Sequence, residues 1–269
     1  MNSLNTSSWI ENLASKGRHS FPLKELKSAL PDSSVAAIKL SLNRLTHKRK
    51  ILSLHQGYYL IIPPEYRSRG IVSPYTFIDG LMAFMERPYY LSLLNAAAFH
   101  GASHQQPQTV SIMTNFPTLR PTQKKDVKID YISSKEIPEN FLEKRKTQSG
   151  YITISSPELT VADLIHFQKR VGGFSRVATI LNELQEAIKV ENINENFLKI
   201  LSVSTIQRMG YLFDVVLENK EIANKIYQLS EQIPLQFFRI PLSTSYPMKG
   251  FDCNERWKII ENTQIEIDE

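Results

Sequence analysis

Two adjoining stretches decide the N-terminal fold: DSSVAAIKLSLNRLTHKRK, residues 32–50, and ILSLHQGYYLI, residues 51–61. Asp32, Ser33 and Ser34 carry side-chain oxygens suited to capping a helix. Val35, Ile38, Leu42 and Leu45 then recur every three or four residues, so one stripe of that helix faces a core and runs out near His47. Two β-prone runs, 51–54 and 58–61, flank His55-Gln56-Gly57 and predict a hairpin. Upstream, Trp9, Ile10 and Leu13 predict a short helix stopping at Lys16-Gly17. Ser20-Phe21 is an extended link, and Leu23, Leu26 and Leu30 line a second helix that begins after Pro22 and halts at Pro31. Helix, helix, basic helix and hairpin, in that order, predict a winged helix-turn-helix over residues 1–66.

The outward face of the third helix carries the chemistry. At 100° per residue, Ser33, Ala36, Ala37, Leu40, Asn43, Arg44, His47 and Lys48 point away from the aliphatic stripe, with Ser34 and Lys39 beside them. Small residues at the N-terminal end permit close approach to a groove, Asn43 and Arg44 can read base edges, and arginine pairs bidentately with guanine. Lys48, Arg49 and Lys50 suit phosphates, or equally a solvated cap on the negative end of the helix dipole. At the wing tip, His55 and Gln56 would approach the minor groove or the backbone, although His55 also reads as an ordinary turn residue. Charge placement agrees. The first seventy residues hold eleven Lys and Arg against four Asp and Glu, a net of +7, within a chain whose total is +5. A basic module joined to a weakly acidic remainder suits nucleic-acid binding.

The rest of the chain is expected to be larger and mixed. With 42% hydrophobic and 22% charged residues in 269, an ordinary folded protein of two domains is expected. Pro63 to Gly70 reads as a linker, and residues 71–269 as an α+β domain. Helices are expected over 78–86 and 89–100, and strands over 109–114, 127–132 and 151–155. Another helix starts at Ser156-Pro157-Glu158, and a helical segment covers 177–188, 196–203, 206–217 and 222–233. Short strands close the chain near 237–240, 257–260 and 265–267. No stretch is apolar enough to span a membrane and no secretory leader is visible. The single cysteine, Cys253, fits a reducing cytoplasm.

The catalytic alternatives find little support. His100 and His104 are separated by Gly101, which interrupts any helix aligning both on a metal. Asp130 on a strand could open a nuclease site, but the next strand, Tyr151-Ile152-Thr153-Ile154, offers no second carboxylate. Glu158 and Asp163, five apart on a helix, read as capping and surface groups. Gly172-Gly173 lacks the lysine of a phosphate loop, and Ser155-Ser156 lacks a nucleophile elbow. No catalytic residue, metal site or cofactor is expected. Two basic patches remain: Arg120, Lys124, Lys125 and Lys128, which could extend a DNA footprint, and Lys144, Arg145 and Lys146.

Several phrases together resemble one family. They are Tyr90-Leu91-Ser92-Leu93-Leu94-Asn95-Ala96-Ala97-Ala98-Phe99-His100-Gly101 with the strand Val110-Ser111-Ile112-Met113-Thr114, and Ile154-Ser155-Ser156-Pro157-Glu158-Leu159-Thr160-Val161-Ala162-Asp163-Leu164 with Gly172-Gly173. Gln207-Arg208-Met209-Gly210-Tyr211-Leu212 and Arg256-Trp257-Lys258-Ile259-Ile260-Glu261-Asn262 follow. In this order, behind a winged helix, they resemble the AbiEi antitoxin of abortive-infection (phage-defence) systems. The resemblance implies an autorepressor that binds inverted repeats in its own promoter. It also implies a C-terminal domain that counters a nucleotidyltransferase-like toxin, in a type IV arrangement that does not require a stable antitoxin–toxin complex. A nuclease-like enzyme targeted by a winged helix, or a protein-binding adaptor, are the alternative readings.

Overall fold

In a computed structural model, residues 5–66, 72–102, 107–125 and 127–267 are described. Helix α1 (Thr6–Ser15) is capped by Asn5, whose side chain accepts from Ser7 N and Ser8 N; strand β1 (Ser20–Pro22) and helix α2 (Leu23–Ala29) follow. Helix α3 (Val35–His47) is capped by Ser34, and strands β2 (Ile51–His55) and β3 (Tyr58–Ile61) form the hairpin, with Gly57 at φ +79 supplying its tight turn. These strands form an antiparallel sheet in the order β1-β3-β2.

Ile38, Leu42 and Leu45 of α3 join Ile10, Leu13, Phe21, Leu26, Ile51 and Ile61 in one core, with Trp9 edge-on to Phe21 at 5.3 Å. Val35 was expected in that stripe but is 49% exposed. It is the first helical residue, one turn short of where the helix meets the core.

Beyond residue 71 come α4 (Ile78–Phe84), β4 (Tyr89–Leu91), α5 (Leu93–Phe99), β5 (Val110–Asn115), β6 (Thr122–Lys124), β7 (Val127–Ser134), β8 (Leu142–Thr147) and β9 (Gly150–Ser155). The strands lie in one sheet, ordered β6-β7-β5-β4-β9-β8, with β5 parallel to β7 and β6 antiparallel to β7. The expected helix over 89–100 is thus a strand and then a helix: Tyr89, Tyr90 and Leu91 are all buried, and aromatic residues favour the pleat. Strands β6 and β8 were expected as loops. They are the two edges of the sheet, where lysine and arginine are at home.

The helical segment consists of α6 (Pro157–His166), α7 (Gln168–Val171), α8 (Phe174–Leu184), α9 (Glu195–Lys199), α10 (Val203–Tyr211), a π-helical turn (Leu212–Val216) and α11 (Lys220–Gln232). A small sheet, β10 (Ile240–Pro241), β12 (Ile259–Ile260) and β11 (Cys253–Asn254) in that order, closes the chain. No strand forms over 265–267. The chain makes two compact units, one of residues 1–90, 108–137 and 144–153 and the other of 91–107, 138–143 and 154–269. This division differs from a boundary at 66–71. Within the first unit the wing packs on α4, Tyr58 lying against Phe84 with ring centroids 5.1 Å apart. Residues 67–71 of the expected linker lie outside the described residues.

Candidate nucleic-acid interface

The local sequence of α3 sorts its residues into two faces. Ile38, Leu42 and Leu45 are buried, whereas Ser33, Ser34, Ala36, Ala37, Lys39, Leu40, Asn43, Arg44, His47, Lys48 and Arg49 are exposed. The helix contains no carboxylate. Among the described residues, the side chains of Lys39, Asn43, Arg44, His47, Lys48 and Arg49 have no hydrogen-bond or ion-pair partner. An exposed face carrying four cations and an amide, with no acid to neutralise it, is complementary to a polyanion. Leu40, 53% exposed, adds an apolar group able to meet a thymine methyl.

Other predicted residues have additional duties. The Ser34 hydroxyl accepts from Ala37 N at 3.2 Å and so is committed to capping. Lys50 Nζ lies 3.1 Å from Glu11 Oε1 on α1, which ties the end of α3 to the first helix. Nothing in the sequence pairs residues 39 positions apart, so this tie was not foreseen. Arg18 is likewise matched, its Nη2 donating to Glu25 Oε2 at 2.8 Å and its other nitrogen to Glu25 Oε1. That bond, foremost, holds the Arg18 pKa above its ordinary value. At the wing, the His55 ring leans edge-on against Phe84 with centroids 6.1 Å apart, and Gln56 beside it is exposed. Arg49 occupies the left-handed region at φ 54 just past the helix end, where glycine is usual.

The second basic patch gathers at a hairpin. Lys124 ends β6, Lys125 follows at φ 50, and Lys128 on β7 faces Gln123 across the ladder. Arg120, Lys124 and Lys125 are exposed and Lys128 is half-buried. Lys144 and Lys146 are exposed on edge strand β8.

The groups considered for catalysis are engaged structurally. His100 Nε2 donates to the Ser155 carbonyl at 2.8 Å, while His104 lies outside the described residues. Ser155 is fully buried, its hydroxyl 2.7 Å from Thr160 Oγ1. Glu158 and Asp163, expected at the surface, are buried. Glu158 Oε1 accepts from Lys189 N at 3.0 Å and from Asn192 Nδ2 at 3.2 Å, anchoring the loop before α9. Among the described residues, no three His, Cys, Asp or Glu side chains come together as metal ligands. No helix there is long and apolar enough to cross a membrane.

Comparison with known proteins places this architecture. No curated protein shows significant similarity to the chain. The fold is similar to that in the crystal structure of the RV2827C protein from Mycobacterium tuberculosis, with a TM-score of 0.69 at 16% identity. The match covers 94% of this chain and 90% of that one. The family model of the AbiEi antitoxin C-terminal domain matches residues 90–215, a span that takes in the phrases around Leu93, Pro157 and Gly210. Over those residues the chain is similar to the C-terminal domain of the AbiEi antitoxins.

Proposed function

We propose that this chain is an antitoxin and a transcriptional autorepressor that grips inverted-repeat operator DNA through α3. The observation that carries the reading is the exposed, acid-free face of Lys39, Asn43, Arg44, His47, Lys48 and Arg49. In this reading α3 lies in the major groove, Asn43 and Arg44 read base edges, and Lys48 and Arg49 hold phosphates. Ser33, Ala37 and Leu40 line the approach to the bases, and Gln56 reaches the adjoining backbone. Lys50 acts chiefly through Glu11 to fix the helix. The hairpin lysines 124, 125 and 128, with Arg120, lengthen the phosphate footprint. The C-terminal domain counters a toxin of nucleotidyltransferase type in a type IV arrangement, and both act in the cytoplasm. The reading assigns the chain no catalysis.

The test is fluorescence anisotropy on the DNA upstream of the gene. Arg44→Ala should weaken operator binding by about 1–3 kcal/mol and relax base choice, whereas Lys48→Ala should weaken all sequences alike and lower the salt slope by about one. Equal operator affinity for wild type and Arg44→Ala removes Arg44 as a reader. Arg44→Ala should still protect cells from the co-expressed toxin.

A further inference from the structure

The C-terminal unit contains a cavity of about 300 Å³ at the junction of α6, α7 and α10. Its charged wall residues are all basic: Lys169, Arg170, Arg208 and the titratable His166. No carboxylate lines it.

Arg208 is the informative group. It is half-buried on α10, and its hydrogen bonds go to neutral carbonyls: Nε to Leu242 O at 3.0 Å, Nη2 to Pro241 O at 2.8 Å and Nη1 to Ser204 O at 3.5 Å. A guanidinium has five N–H donors, so these bonds do not exhaust it. It meets no carboxylate among the described residues, and burial alone pulls its pKa down. Partly withdrawing a cation from water without a counter-charge is unfavourable, and a bound anion would offset that cost.

The neighbours agree. His166 is held through Nδ1 by Thr205 Oγ1 at 3.2 Å, and partial desolvation, then the Arg208 charge, push its pKa below the ordinary value. The Phe174 ring lies 6.0 Å below the guanidinium, and the Phe167 ring stands edge-on to His166 at 4.6 Å. Flat apolar walls therefore adjoin the positive charge of Arg208, with Lys169 exposed at the rim. The space exceeds what a bare phosphate needs.

We propose that this cavity binds a small phosphomonoester carrying a flat ring. Its dianion meets the free donors of Arg208 with Lys169 at the rim, and its ring packs beside Phe167. The site lies in the C-terminal unit and does not depend on the DNA-binding reading of α3.

Calorimetry on the full chain at low ionic strength tests it, with adenosine monophosphate as probe beside adenosine and inorganic phosphate. The monophosphate should bind at least tenfold more tightly than either. Lys169→Glu, an exposed rim change that leaves the Arg208 carbonyl bonds in place, should weaken it at least tenfold with an unchanged melting curve. Lys135→Glu, an exposed position just past β7, should leave it unchanged. The proposal is overturned if millimolar monophosphate does not bind, or if adenosine binds as tightly. An equal effect of the Lys169 and Lys135 reversals would overturn it too, since that marks diffuse attraction. Inorganic phosphate binding as tightly as the monophosphate would overturn the assignment of a ring-bearing ligand.

Discussion

Gly210→Ala sets two opposing effects against each other, and the geometry decides the sign. On helix propensity alone the change should stabilise α10 by about 1 kcal/mol. A Cβ at that position, however, would lie 2.0 Å from Trp257 Cζ3 and 2.2 Å from Cη2. Non-bonded carbons rest at about 3.5–4.0 Å, so the indole would have to retreat by roughly 1.5 Å. Trp257 has no room to do so. It is fully buried, its Nε1 donates to Asp214 Oδ2 at 2.8 Å, and its carbonyl accepts from Gln207 Nε2 at 2.8 Å. Expelling such a ring costs about 3–5 kcal/mol, as for truncating a buried tryptophan. The net expectation is a loss of about 2–4 kcal/mol. Urea unfolding measures the loss, and a red shift of Trp257 emission in a Trp9→Phe background locates it. In a Trp257→Leu background the same alanine should cost far less or even stabilise. A Gly210→Ala protein at least as stable as wild type, with unshifted emission, would refute the argument.

Three further outcomes are expected. Leu42→Ala, in the core beneath α3, should cost about 2–5 kcal/mol of stability in urea titration and weaken DNA binding only through unfolding. Asn5→Ala removes the α1 cap and should cost about 1 kcal/mol by the same measurement. At Asp214, burial opposes ionisation, but bonds from Lys220 and Trp257 and the Arg256 charge outweigh it, so its pKa is depressed. Its stabilising contribution is therefore complete above the unfolded-state value near ~3.9 and is lost as pH falls through the lower folded value. Asp214→Asn should flatten the acid limb of a stability–pH curve.

The third helix and the hairpin after it were legible because their cues are local: a cap at Ser34, a stripe through Ile38, Leu42 and Leu45, and a glycine turn at 57. The same periodicity exposed the face bearing Asn43 and Arg44. What escaped depends on partners distant in the chain. Edge strands β6 and β8 carry polar residues that look like loop until a neighbouring strand supplies hydrogen bonds. Tyr89–Leu91 sits beside a strong helix former, and only its place in the sheet, with Leu91 opposite Ile154, makes it a strand. Glu158 looks like a first-turn surface acid until the backbone of Lys189 arrives to meet it. The basic cavity is invisible in sequence, because Arg208 and Lys169 are unremarkable apart.

The path of the chain has a consequence for synthesis on the ribosome. The unit that contains the wing is completed only by residues 108–137 and 144–153. At ~5–20 residues per second, several seconds separate the emergence of residue 90 from that of residue 153. During that interval Phe21 and its neighbours can already collapse, but the sheet beside α4 lacks its later strands. A nascent chain stalled in this window should present unpaired strand edges to chaperones, and pulse proteolysis of ribosome-bound chains should show protection rising only once residue 153 has cleared the exit tunnel.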